Sequence, residues 1–192
     1  MKKLLMLGLL TLTFLAPHVQ CLDIMPNQLA DLQGLNNSQL NELYDYGSAY
    51  EIPSANHPGH PHLLTGLPLP VPGYKGPSDL LGFFWGGKIF STDQVGDITL
   101  TNQVFPNTPF NFNNISAQVS IKNNSYTNDG EPVIFLDYNN SNVAIAQIVR
   151  DEMRLIAPDL YLGRAYLKNG FVKRLITGEA FGFALWFALQ EI

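Results

Sequence analysis

Between residues 26 and 46, apolar side chains recur every three or four positions, which is the spacing of one face of an α-helix. The sequence Gly34-Leu35-Asn36-Asn37 interrupts this pattern, so it predicts two short helices. The second helix is predicted to begin at Ser38, whose hydroxyl can cap the first turn, and to end at Gly47. The apolar positions of the two helices are Leu29, Leu32, Leu35, Leu40, Leu43 and Tyr44.

From Leu80 onward the pattern changes to short runs of β-branched and aromatic residues separated by Asn, Gly, Asp and Pro, which is typical of strands and turns. Ile98 and Leu100, for example, alternate with threonines, as expected for a strand with one buried face. Residues 128–130, Asn-Asp-Gly, predict a tight turn between two strands. Strands are predicted at 82–90, 96–104, 115–122, 132–138, 160–168 and 180–190.

The segment from Val143 to Ile156 has two interpretations. Its apolar residues fit one face of a helix or a strand, and the charged run 150–154 would pair charges along a helix or alternate across a sheet. Pro158 ends the segment in both cases. The whole pattern predicts a mainly β fold, either a small antiparallel β-barrel or a sandwich, with short N-terminal helices.

Residues 53–77 differ in composition, with seven prolines and four glycines. Because proline lacks a backbone donor and fixes φ, this stretch is expected to form extended chain or turns. The chain therefore divides into an N-terminal signal at 1–21, a short helical segment at 22–52, a Pro/Gly-rich strap at 53–77 and a β-barrel domain at 78–192.

Residues 1–21 have the organisation of an export signal. Lys2 and Lys3 precede an apolar run from Leu4 to Ala16, which is shorter than the roughly 20 residues that span a bilayer. Two outcomes stay open at the single cysteine: cleavage after Cys21, which discards it, or lipidation of Cys21, which anchors the protein to a membrane. Either way no disulfide is expected. The sequence thus predicts an exported protein, periplasmic or secreted.

Charge and missing motifs exclude several functions. Without Lys2 and Lys3 the chain keeps nine basic residues against 16 acidic ones, a net charge of −7 that disfavours binding to nucleic acid. The sequence has no Gly-x-Ser-x-Gly elbow, phosphate loop or zinc-protease helix. The three histidines between His57 and His62 lack a thiol or well-spaced carboxylate to complete a metal site, so we expect a solvated loop, with no metal or cofactor.

The first predicted barrel strand opens with Gly82-Phe83-Phe84-Trp85-Gly86-Gly87-Lys88. This segment resembles the Gly-x-Trp opening of lipocalin-like and nitrobindin-like barrels, although Trp85 follows Gly82 by three residues. The resemblance implies a small closed barrel that Trp85 plugs at one end. Nitrobindin-type barrels hold haem through a late histidine, and no histidine follows His62, so no haem is expected. The alternative is an aromatic strand in an unrelated β-domain.

Two late segments, 150–154 and 158–166, concentrate charged and phenolic side chains. They resemble strings in uncharacterised bacterial exported proteins, which implies a shared fold without a known activity. Such side chains can clamp a ligand carboxylate or form an acid–base pair. The alternative is an ion-pair network that holds two strands together. The candidate ligand-binding residues are Trp85, Tyr138, Asp151, Glu152, Arg154, Tyr161 and Arg164.

The leading functional hypothesis is binding of an apolar or amphipathic small molecule inside the barrel. A small closed barrel offers an apolar lumen, and the chain has 12 Phe, 8 Tyr and 2 Trp to line it. The second hypothesis is a cavity enzyme with Asp151 or Glu152 as acid or base and Arg154 holding an anionic substrate. The third is an interaction module whose strap binds a groove on another protein.

Overall fold

The structure, a computed structural model, describes residues 25–53, 62–65, 85–94, 96–104, 115–123, 130–141, 143–144, 146–168 and 181–190. The export segment with Cys21, the histidine loop before His62, and most of the strap lie outside the described residues. No helix in the described part of the chain is long and apolar enough to cross a membrane.

The described residues form one antiparallel sheet of eight strands in the order β1-β8-β7-β6-β5-β4-β3-β2, with one α-helix and two 3-10 helices. The prediction of a mainly β fold with short N-terminal helices is therefore confirmed. The strands are β1 (His62–Thr65), β2 (Trp85–Thr92), β3 (Ile98–Val104), β4 (Ile115–Lys122), β5 (Val133–Asp137), β6 (Val149–Ala157), β7 (Leu160–Lys168) and β8 (Phe181–Gln190). The helices are α1 (Asn37–Tyr46) and the 3-10 helices Leu29–Leu32 and Ala146–Ile148.

All six predicted strands are present. The charged segment 150–154, for which the sequence allows a helix or a strand, lies in strand β6. β6 pairs with β5 on one side and β7 on the other, so its charged residues alternate between the two faces of the sheet. The additional strand β1 lies within the strap and pairs with β8 at the edge of the sheet. An edge position is where a proline-flanked segment can join a sheet, because one side of its backbone needs no partner.

The sheet is strongly curled. Six strand spacings of about 4.8 Å separate β2 from β8, so a flat sheet would hold them roughly 29 Å apart. Yet the ammonium nitrogen of Lys88 on β2 lies 5.0 Å from the ring centre of Phe187 on β8. The same nitrogen reaches Asp151 on β6, four spacings away, at 2.7 Å. The sheet therefore bends into a half-barrel whose concave face is an interior.

Apolar side chains from across the sheet line the interior. They come from every strand between β2 and β8, with contributions from the segments that flank the sheet. This interior core consists of Ala49, Phe90, Leu100, Ile115, Ala117, Ile134, Leu136, Tyr138, Ala146, Met153, Tyr161, Ala165, Phe187 and Leu189.

The N-terminal helices cover part of the opposite, convex face. Leu40, Leu43 and Tyr44 of α1 are buried against side chains of β5, β7 and β8, including Trp186. Leu32 of the first 3-10 helix joins the same cluster. The helical segment and the sheet thus share a second hydrophobic core, separated from the interior by the sheet itself.

Helix α1 is capped by Asn36, so the prediction that Ser38 is the cap is wrong. The Asn36 side chain accepts hydrogen bonds from the backbone amides of Ser38 and Gln39, while the Gln39 side chain accepts one from the Asn36 amide. Ser38 lies inside the first turn, where its own amide needs a partner. The predicted end at Gly47 is confirmed, and a Cβ there would lie 2.8 Å from the Cβ of Arg154 on β6.

Candidate functional site

Four polar side chains meet in the otherwise apolar interior, and we call them the interior cluster: Lys88, Asn102, Tyr138 and Asp151. Lys88 and Asn102 are direct partners across β2 and β3. Asp151 lies on β6, and Tyr138 directly follows β5. The curl of the sheet brings the two pairs together. Lys88 and Tyr138 are 1% exposed and Asp151 is 4% exposed.

The hydrogen bonds of the interior cluster converge on the Lys88 ammonium group. Its nitrogen lies 2.6 Å from the Tyr138 hydroxyl, 2.7 Å from Oδ2 of Asp151 and 3.3 Å from Oδ1 of Asn102. The Tyr138 hydroxyl in turn donates to Oδ2 of Asp151 at 2.9 Å. An ammonium group has three protons, and three acceptors surround it here. Lysine, tyrosine and aspartate therefore form a closed triangle of hydrogen bonds.

Burial controls the proton affinities of this triangle. Removal from water lowers the pKa of Lys88, and the neighbouring Asp151 carboxylate opposes this effect without cancelling it. Burial also raises the pKa of Tyr138 well above its ordinary value, and the negative charge of Asp151 raises it further. A lysine that loses its proton more easily beside a phenol that holds its proton firmly is an arrangement suited to proton transfer.

The second oxygen of Asp151 is a notable feature of the interior. Oδ1 is buried and has no hydrogen-bond partner among the described residues, although Oδ2 has two. An unsatisfied buried carboxylate oxygen costs free energy, so such atoms in native proteins usually have a water, ion or ligand as partner. The interior cluster therefore has one open acceptor position.

Glu152, Arg154 and Arg164 lie on the other side of the sheet, under helix α1. Consecutive residues of a strand point to opposite faces, so Glu152 and Asp151 cannot share one site. Glu152 and Arg164 are direct partners across β6 and β7. We call these three residues and Tyr44 the outer cluster: Tyr44, Glu152, Arg154 and Arg164 are all almost fully buried.

The outer cluster connects the helix to the sheet. The Tyr44 ring contacts two guanidinium groups, with its centre 4.5 Å from that of Arg154 and 3.9 Å from that of Arg164. Arg154 also donates to the Tyr44 carbonyl at 3.2 Å, near the helix C-terminus, where a positive charge is favourable. Burial, and then the charge of Glu152, raise the pKa of Tyr44 well above its ordinary value.

A small cleft opens beside the outer cluster, at the start of α1. Its volume is about 230 Å³, and a guanidinium, two amides and three aromatic rings surround it. Arg164 donates to Oδ1 of Asn41 at 2.7 Å and lies 3.6 Å from Asp45. The lining residues are Asn37, Asn41, Arg164, Tyr166, Phe183 and Trp186.

The structure thus divides the residues that the sequence suggested as ligand-binding. Tyr138, Asp151 and Tyr161 face the interior, whereas Glu152, Arg154 and Arg164 face α1. Trp85 begins β2, but its side chain lies outside the described part of the structure.

Sequence reasoning missed Lys88 and Asn102, which complete the interior cluster. A signal for both was present in the strand pattern. Lys88 is two residues before Phe90, and Asn102 is two residues after Leu100. Because residues two apart in a strand point to the same face, each polar side chain shares the face of a buried apolar one.

Neither a protein-family model nor a curated protein sequence matches this chain. Among solved structures, a protein from Thermomonospora curvata matches with 15% sequence identity and a TM-score of 0.48. The match covers 85% of this chain and 92% of the other.

Proposed function

We propose that the protein binds a small amphipathic molecule in the interior of the half-barrel, with the interior cluster at the polar end of the site. The observation that carries this proposal is the buried Oδ1 of Asp151, which has no partner among the described residues. A bound hydroxyl or amide group that donates a hydrogen bond would satisfy it.

The energetics of the interior cluster support a functional role. A buried ion pair is often no more stabilising than well-packed apolar side chains of similar volume, because both charges lose their hydration. A half-barrel interior made of Phe90, Leu100 and their neighbours has no structural need for Lys88 and Asp151. Buried titratable groups with shifted pKa values are typical of binding and catalytic sites.

The charges of the interior cluster suggest which ligand it accepts. The positive charge of Lys88 and the negative charge of Asp151 compensate each other at 2.7 Å, so the site does not require a charged ligand. The Phe187 ring lies 5.0 Å from the lysine nitrogen and gives the site an apolar side. We therefore propose a neutral ligand with an apolar body and one hydrogen-bond donor.

Export is the second part of the proposal, and it rests on the sequence of residues 1–21. Lys2 and Lys3 before the apolar run Leu4–Ala16 would direct the chain out of the cytoplasm. Mass spectrometry of the protein purified from its native host gives the processed N-terminus. A chain beginning at residue 22, or one with a lipid on Cys21, would support export, whereas a protein that retains Met1 would contradict it.

Saturation-transfer NMR with benzyl alcohol and toluene tests the binding proposal. The two probes share an aromatic ring, but only benzyl alcohol can donate a hydrogen bond to Asp151. We expect a stronger signal for benzyl alcohol with the native protein. This preference should be lost in Asp151→Asn, because the amide oxygen would accept from Lys88 and Tyr138 and the NH2 group, a donor, would replace the Oδ1 acceptor. Asp159→Asn is the matched control, because Asp159 is an exposed turn residue with a positive φ that asparagine tolerates. Equal or absent binding of both probes would refute the proposal.

Asn41→Ala distinguishes the interior from the cleft beside α1. Asn41 lines that cleft and has no part in the interior cluster. The preference for benzyl alcohol should therefore survive this substitution. If Asn41→Ala abolishes binding and Asp151→Asn does not, the ligand occupies the outer cleft and the interior proposal is wrong.

A further inference from the structure

We propose that Lys88 forms a reversible imine with aldehydes or ketones that enter the interior. This inference deepens the proposed function and rests on it, because a carbonyl compound must first occupy the same site. It adds a covalent reaction to a binding site and assigns Lys88 as the nucleophile.

The geometry around Lys88 supplies the groups that imine formation requires. The amine must lose a proton before it attacks, and Oδ2 of Asp151 lies 2.7 Å from it as an acceptor. The Tyr138 hydroxyl lies 2.6 Å from the same nitrogen and 2.9 Å from the carboxylate, so it connects donor and acceptor. All three groups are therefore within hydrogen-bond distance of one another before any ligand arrives.

The reaction balances without an oxidant or a reductant. The Lys88 ammonium group transfers a proton to Asp151, and the free amine forms a carbon–nitrogen bond with the carbonyl carbon. The carbonyl oxygen takes up a proton from the nitrogen that attacked, which gives a neutral carbinolamine. Its carbon–oxygen bond then breaks, the oxygen leaves as water with the proton from Asp151, and a protonated imine remains. The sum is one carbonyl compound plus one ammonium group giving one protonated imine plus one water.

The open acceptor of Asp151 fits the intermediate of this reaction. A carbinolamine carries a hydroxyl group one bond from the carbon attached to the lysine nitrogen. That hydroxyl can donate to Oδ1 of Asp151, which has no partner among the described residues, while Oδ2 keeps its contact with Tyr138. The carboxyl group of Asp151, which holds the proton from Lys88 at this stage, would thus contact both the leaving oxygen and the phenol.

The surroundings of Lys88 also make its proton easier to remove than that of a lysine in water. Burial lowers the pKa of Lys88, which increases the fraction of nucleophilic amine at neutral pH. Phe187 and the apolar interior limit access of water, which would otherwise hydrolyse the imine. Lys122 and Lys168, by contrast, are exposed. These two lysines are internal controls for reactivity.

Reductive trapping with benzaldehyde and cyanoborohydride tests the inference on the full-length protein. Intact mass spectrometry counts the benzyl groups added, and peptide mapping locates them. We expect Lys88 to be labelled about a hundredfold faster than Lys122 and Lys168, since positioned acid–base groups typically contribute at least that factor. Labelling of Lys88 at or below the rate of the exposed lysines would overturn the inference.

Two variants separate chemistry from folding. Lys88→Arg retains the positive charge but cannot form an imine, so it should lose the fast labelling while circular dichroism shows a native spectrum. If that variant does not fold, Tyr138→Phe provides the second measurement, in which labelling of Lys88 should be slower than in the native protein. Unchanged labelling of Lys88 in Tyr138→Phe would refute the assigned role of the phenol and with it the inference.

Failure of the inference is distinguishable from failure of the proposed function. Benzyl alcohol has the same ring as benzaldehyde and cannot form an imine. If benzyl alcohol binds and Lys88 is not labelled, the covalent step is wrong and the binding site stands. If neither benzyl alcohol binding nor labelling of Lys88 is observed, both are wrong.

Discussion

At the scale of single residues, the buried pair of Lys88 and Asp151 determines how the interior responds to substitution. Each charge is stable in the interior because the other is 2.7 Å away. Removing one partner leaves the other charge uncompensated in a dry environment. The pair is therefore sensitive to single substitutions and tolerant of a double one.

Lys88→Met is expected to lower the free energy of unfolding by about 3–5 kcal/mol, because it leaves the Asp151 carboxylate without its counter-charge. Urea denaturation measures this loss. Lys168→Met is the control and should change stability by less than about 0.5 kcal/mol, since Lys168 is exposed. The double variant Lys88→Met, Asp151→Leu should recover most of the stability. A single variant as stable as the native protein would contradict the buried pair.

Stability is expected to fall in alkaline solution because of Tyr138. Its pKa is raised in the folded protein, so the contribution of Tyr138 is fully present below the unfolded pKa of about 10 and is lost as the pH rises through the folded value. Tyr138→Phe should make this alkaline loss of unfolding free energy shallower. Tyr50→Phe, at an exposed position, should leave the slope unchanged. Equal slopes in all three proteins would contradict the role of Tyr138.

The lowered pKa of Lys88 changes the free energy of unfolding with pH in the direction opposite to that of Tyr138. Because it is lowered in the folded protein, the unfolded chain binds more protons between the folded pKa and the unfolded value of about 10.4. The Lys88 contribution to stability therefore rises with pH in that window. The alkaline loss of unfolding free energy assigned to Tyr138 is therefore measured most cleanly at pH values above this window.

At the scale of elements, local sequence was sufficient for most of the fold. Alternation in β3 and β4 and the change to β-branched residues after Leu80 located the strands within a few positions. β6 was ambiguous because its charged run has a period that fits helix and strand equally well. The pairing of β6 with both β5 and β7 decided between them, and such pairing depends on distant residues.

The cap of α1 provides a test within one element. Asn36→Ala is expected to cost about 0.5–2 kcal/mol of unfolding free energy, because it removes the acceptor for two amides of the first turn. Ser38→Ala should be close to neutral, since Ser38 is exposed within that turn. Thermal unfolding of both variants measures the difference. The reverse order would indicate that the helix begins at Ser38, as the sequence alone suggested.

Gly163 on β7 lies at a position where the neighbouring strand leaves no room for a side chain. It is the direct partner of Phe187 on β8, and a Cβ at this position would lie 2.1 Å from the phenylalanine ring. Gly163→Ala is therefore expected to destabilise the protein by about 1–3 kcal/mol through overpacking, as measured by urea denaturation. Gly163→Ala combined with Phe187→Leu should be more stable than Gly163→Ala alone. If Gly163→Ala is neutral, the ring does not cover this glycine.

At the scale of the whole molecule, the candidate site could not be predicted from sequence. Lys88 and Asp151 are far apart in the chain, and four strand spacings separate them in the sheet. Only the curl of the sheet brings them together, and curl is a sum of small twists that no single segment encodes. The sequence did single out Asp151 and Tyr138. It did not indicate that Asp151 and its neighbour Glu152 belong to separate clusters.

The helical segment is expected to be necessary for the stability of the whole. A chain starting at residue 53 would lose Leu40, Leu43 and Tyr44 from the second core and expose Trp186 and two buried arginines to water. We expect it to show no cooperative thermal transition, whereas a chain starting at residue 22 should unfold cooperatively. Circular dichroism against temperature compares the two. A native transition in the shorter chain would mean that the sheet is stable without the helices.

The short strand β1 has a consequence for solubility. Three of its four residues pair with Trp186, Phe187 and Ala188, at the side of β8 opposite β7. β8 reads Phe-Gly-Phe-Ala-Leu-Trp-Phe-Ala-Leu-Gln, ten residues without a charge or a proline. A strand of this composition with unpaired backbone groups is a template for intermolecular sheet growth and fibril formation. By pairing with residues 186–188, β1 removes the backbone groups at the centre of this apolar run from such growth.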